Sequence, residues 1–97
     1  MQQEDRIPAS DFCAHHNIEL SFIYSLQEYG MIETILEEEK IFLPLSQMAR
    51  LEKIVRLHFE LDISLEGVET ITHLLDRMEE MQRDITRLKN RLKAYEP

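Results

Sequence analysis

At 97 residues, 43% hydrophobic and with only two Gly and three Pro, the chain reads as one compact, mainly helical domain whose small core leaves apolar surface for a partner or a second copy. A net charge of −8 argues against coating nucleic acid, and favours a partner with a basic face. Cys13 is the only cysteine, which excludes an intramolecular disulfide and fits a reducing compartment. The polar start Met1–Arg6 lacks a signal peptide's apolar run, and no segment approaches the roughly 18 apolar residues of a membrane helix, so a soluble cytoplasmic protein is expected.

Taken in chain order, Pro8 presets the backbone angle for a helix start, Asp11 stands in a first turn where the dipole favours an acid, and Phe12 and Cys13 supply an apolar face. The first helix is therefore expected over about residues 9 to 15. His16 and Asn17 interrupt it, and Asn tolerates the left-handed conformation that a tight turn between helices requires. Ile18, Phe22, Ile23 and Leu26 then recur at helical spacing and Gly30 follows as a cap, which predicts a second helix over roughly residues 20 to 29. Its outward face carries Ser21, Tyr24, Ser25 and Glu28.

Met31–Leu36 and Lys40–Leu43 are β-compatible runs separated by Glu37, Glu38 and Glu39, which predicts a small hairpin with an acidic tip. The absence of Gly or Asn there speaks against a tight two-residue turn. Pro44 opens a third helix in which Leu45, Met48, Leu51, Ile54, Val55, His58 and Leu61 make a wide stripe. Asp62, Ile63 and Ser64 break it, and Ser64 caps a long helix from Leu65, with Glu66 in its first turn and Gly67 suited to close packing. The domain thus divides into residues 1–64, holding the helix-turn-helix, hairpin and core helix, and residues 65–97, a long helix.

Along that last helix the apolar positions run Val68, Ile71, Leu75, Met78, Met81, Ile85, Leu88, Leu92 and Tyr95. Two consecutive steps of three, from Leu75 to Met78 to Met81, break the heptad. Two phases therefore meet near Met78, either overwinding a coiled coil or marking the handover from a core-packing part to a docking surface. Met81, Ile85, Leu88, Leu92 and Tyr95 form a dimer or coiled-coil stripe, open to closing on its own domain, on a second copy or on a protein partner. The basic end, Arg83, Arg87, Lys89, Arg91 and Lys93, complements the helix dipole and would equally complement an acidic second chain.

Helix, turn, helix and hairpin in this order describe a winged helix-turn-helix, a module that grips phosphates with Lys and Arg. Here the first 45 residues hold nine acids (Glu4, Asp5, Asp11, Glu19, Glu28, Glu33, Glu37, Glu38, Glu39) against Arg6 and Lys40. Residues 46 to 97 hold ten acids and nine bases, so nearly all of the negative charge sits in the half that should meet DNA. Glu19, Glu28, Glu33, Glu37, Glu38 and Glu39, with Tyr24 as an aromatic anchor, are the candidate partner-binding face. A solvated charge run is the plainer reading of the tip.

Nothing points to catalysis. Glycine-rich phosphate loops, zinc-protease helices and nucleophile elbows are all missing from the sequence, and the serines fall at caps or on helix faces. Cys13, His15 and His16 are close in sequence, but a structural zinc takes four ligands, and His58 and His73 lie in separate apolar stripes. No catalytic residue, metal or cofactor is expected.

The segments FCAHHNIELSFIYSLQEYGMIE and IFLPLSQMARLEKIVRLHFELDISLEGVETITHLL, with the trailing coiled coil, resemble the MerR-like winged-helix superfamily and, within it, the CbpM family of chaperone modulators. The resemblance spans Ile7 to Leu92. It implies a mainly α MerR-like winged helix-turn-helix with a small β-hairpin wing and a long C-terminal helix. It also implies a regulator, not an enzyme, that binds the J-domain of a DnaJ-like co-chaperone of the CbpA type and inhibits its stimulation of Hsp70. The alternative within the superfamily is a dimeric DNA-binding transcriptional regulator, whose C-terminal helix pairs antiparallel with a second copy. Such proteins carry Arg and Tyr pairs on the second helix and wing, and the matching positions here are Tyr24 and Leu26, then Ile41 and Leu43. DNA is therefore not the expected partner.

Overall fold

A computed structural model describes residues 5–95. In order, the chain forms β1 (Arg6–Pro8), α1 (Ala9–His16), α2 (Leu20–Glu28), β2 (Ile35–Glu37) and β3 (Lys40–Pro44). A 3-10 turn (Leu45–Gln47), α3 (Met48–Val55), a π-turn (Arg56–Glu60) and α4 (Leu65–Lys93) complete it. Two compact units result, one ending at Asp62 and one beginning at Ile63.

Two left-handed caps set the helix-turn-helix. Asn17 takes φ 56° after α1, and the Ile18 amide donates to the Cys13 carbonyl at 3.0 Å. Gly30 takes φ 70° after α2, with the Gly30 amide donating to Gln27 and the Met31 amide to Leu26. This double bond pattern is a Schellman motif, and its customary apolar pair is Leu26 with Met31, both buried.

The three strands make an antiparallel sheet in the order β1-β3-β2. Strand β1 is a departure from expectation, since the predicted elements begin only with the helix after Pro8. Three residues containing a proline carry no alternation to read, and Pro8 is tolerated because β1 is an edge strand. The hairpin is shorter than expected, since Met31–Thr34 is not strand and Met31 and Ile32 are instead buried in the core.

The hairpin turn is also tighter than expected. Glu37 pairs with Lys40, so Glu38 and Glu39 alone form the loop, at φ 50° and 65°. A type I′ turn demands two positive φ angles, which Asn-Gly adopts readily and two glutamates adopt at a cost of roughly 1 kcal/mol each. Replacing Glu38 by Asn and Glu39 by Gly together should raise stability by about 1 kcal/mol, read as a rise of several degrees in Tm.

The core of the first unit joins α2, the sheet and α3 through Ile23, Leu26, Leu43, Leu51 and Ile54, all fully buried, and α1 adds the buried Ala9, Phe12 and Cys13. The expected single third helix is broken into three. Its first turn is 3-10 and leaves Leu45 exposed, and its last is a π-turn closed by the Leu61 amide on the Arg56 carbonyl at 3.1 Å. That widening places His58 flat against Phe22, ring centroids 5.2 Å apart, and turns Phe59 half out to solvent.

In the second unit the Ser64 hydroxyl accepts from the Gly67 amide at 3.2 Å, as a cap should. A Cβ on Gly67 would come within 2.8 Å of the Ile63 γ-methyl, so the glycine makes room for the residue just before the cap. Its close approach is local to the helix start. The 29 residues of α4 span about 44 Å.

Candidate functional site: the wing–helix groove and the α4 stripe

The outward face of a helix-turn-helix second helix is where a DNA reader places its cations, and α2 (LSFIYSLQE) contains none. Tyr24 stands on that face at 49% exposure, beside Leu20. Together with the start of α1 and with β3 they enclose a groove of about 530 Å³ lined by Pro8, Ala9, Ser10, Asp11, Leu20, Tyr24, Glu39, Lys40, Ile41 and Phe42. Its walls are mostly apolar, and its rim carries two carboxylates and one ammonium.

Of the acidic residues singled out from sequence, the groove unites Glu39 with Tyr24 and adds Asp11. Glu19 lines a different recess with Asn17, Ser21, Phe22, Ser25 and Phe59, and accepts from the Ser21 hydroxyl at 3.3 Å. Glu33 lines a third with Gln47 and Arg50, where the Glu33 amide donates to Gln47 Oε1 at 3.2 Å and Arg50 Nε donates to the Met31 carbonyl at 2.7 Å. Glu28 is exposed near the end of α2, and Glu38 at the tip of the wing.

Glu37 forms an ion pair with Arg6, whose guanidinium also sits over the Phe42 ring at 5.1 Å from its centroid. Register explains the arrangement, because Arg6, Phe42 and Glu37 all project from one face of the twisted sheet. This triad is not legible from residue order, since it depends on the unforeseen β1. Leu36, which projects from the opposite face, is 73% exposed.

Two of the four positions matched to DNA-contacting side chains are not surface positions. Leu26 and Leu43 are fully buried, whereas Tyr24 and Ile41 reach the groove. Only Tyr24 and Ile41 therefore stand where a DNA-contacting side chain would.

On α4 the apolar residues sort into two faces. Val68, Thr72 and Leu75, at spacings of four and three, lie on one side, where Val68 and Thr72 are buried. Leu74, Met78, Met81, Ile85, Leu88, Leu92 and Tyr95 lie on another in unbroken steps of four and three, and every residue from His73 to Tyr95 is exposed. The heptad break expected at Leu75 therefore disappears once Leu74 takes its place. The doublet belongs to two faces at once, and no overwinding is needed. Arg83, Arg87 and Arg91 run along the flank, with Arg87 paired to Asp84 at 3.2 Å.

Cys13 is buried, and burial pushes its thiol pKa above the ordinary value. The His16 ring packs on Phe12 at 4.2 Å. Among the described residues no three His, Cys, Asp or Glu side chains are placed to hold a metal ion, and no helix is long and apolar enough to cross a membrane.

Helix-turn-helix, three-stranded wing and long terminal helix define a winged helix-turn-helix regulator. The MerR HTH family of regulatory proteins matches residues 7–90, and the chain belongs to that family. Among curated proteins, none matches it significantly.

Proposed function

We propose that this family member works as a chaperone modulator of the CbpM type, in the cytoplasm and without catalysis, by binding the J-domain of a DnaJ-like co-chaperone of the CbpA type and inhibiting its stimulation of Hsp70. The observation that carries the reading is the cation-free α2, set beside a groove with an acidic rim. A surface of that kind repels phosphates, and it attracts the basic helix that a J-domain exposes. Docking there would cover the J-domain face that Hsp70 needs.

Isothermal titration with the J-domain at low and at physiological salt tests this. Binding at micromolar strength or tighter that weakens with salt is the expected result. Lysine at Glu38 and Glu39 together should weaken binding about tenfold and flatten its salt dependence, because exposed charges at the wing tip act mainly through long-range attraction. Absence of heat at either salt would sink the reading.

The family match is equally compatible with a second reading, a dimeric DNA-binding regulator in which Arg83, Arg87 and Arg91 supply phosphate contacts. A gel shift against the protein's own promoter region separates the two, since retention at roughly 0.15 M salt would favour DNA. In both readings the exposed α4 stripe pairs with a second copy.

A further inference from the structure

We infer that the wing–helix groove seats an arginine side chain of the protein partner, stacked on Tyr24 and held at its rim by Asp11 and Glu39; this rests on the docking reading above. The wing already displays the chemistry once. On the outer face of the sheet, Arg6 lies over the Phe42 ring and pairs with Glu37. A guanidinium is flat and weakly hydrated, so an aromatic face backed by a carboxylate suits it better than it suits an ammonium.

The groove repeats that combination from different elements. Tyr24 offers a half-exposed ring, Leu20 and Ile41 offer apolar walls for a methylene stem, and Asp11 and Glu39 outnumber Lys40 at the rim. A volume near 530 Å³ admits one long side chain and its immediate neighbours, and is too small for a whole helix. The occupant is thus an anchor residue projecting from a cationic surface. Phosphate is excluded by the sign of the rim.

The test is a calorimetric titration of the full chain with the J-domain, using Tyr24→Ala, Tyr24→Phe, Glu39→Gln and, in the separate recess, Phe59→Ala. Tyr24→Ala and Glu39→Gln should each weaken binding about 5- to 30-fold, while Tyr24→Phe stays within about twofold because the ring face is kept. Phe59→Ala should leave affinity unchanged. Replacing the J-domain's surface arginines by lysine one at a time should find one whose loss is not additive with Tyr24→Ala.

If wild-type chain binds and Tyr24→Ala binds equally well, or no arginine couples to Tyr24, the arginine seat is wrong while the modulator reading stands. If wild-type chain gives no heat, both fall. Should Tyr24→Ala instead abolish self-association in sedimentation, the groove takes a second copy of this chain and the inference is overturned.

Discussion

Leu26→Ala is expected to cost about 3–5 kcal/mol, a large share of the roughly 5–15 kcal/mol that holds a domain folded. The side chain is fully buried, and its carbonyl accepts the Met31 amide that closes the α2 cap. Truncation opens a cavity and removes the apolar partner of Met31 in the same step. Chemical denaturation followed by circular dichroism gives the number. A cost below about 1 kcal/mol would mean that α2 is not held as described.

Much of the helix-turn-helix was legible because its determinants are local. Asn17 and Gly30 announced left-handed caps, Ser64 announced a cap, and both helices of the motif ended within about two residues of their expected bounds. The missed features are those set by tertiary geometry. Strand β1 exists through pairing with β3, and nothing in Arg6–Pro8 alone encodes it. The tight wing turn runs against local preference, with Glu38 and Glu39 held at positive φ by the flanking pairs of β2 and β3. Tyr24 and Glu39 were both picked out in the sequence, yet only the fold brings them to one groove together with Asp11.

Placing charge in the exposed heptad stripe should have the second large effect. Ile85→Asp with Leu88→Lys is expected to hold the chain monomeric at concentrations where wild type self-associates, and to fray the end of α4. Ile85 and Leu88 are 45% and 53% exposed, so the pair leaves the buried core untouched. Sedimentation velocity across a hundredfold range of concentration reads the association, and helicity per residue reads the fraying. Identical sedimentation of the two proteins would remove the stripe as a self-association surface.

Cys13 contributes a term of predictable sign to the pH dependence of stability. Its folded pKa lies above the unfolded one, so in alkaline solution the unfolded chain loses its proton first and stability falls as pH rises past roughly 8.5. Cys13→Ala should remove that slope, as shown by melting curves between about pH 7.5 and 10.

The same buried thiol gives the molecule a clock. Only a thiolate attacks a disulfide reagent, and Cys13 is buried within α1, so labelling must wait for that helix to lift from the rest of its unit. With one sulfhydryl in the chain, each labelling event times one such opening. A partner that clamps the start of α1 should slow the clock, making capture of the groove visible without any tag or dye on the protein.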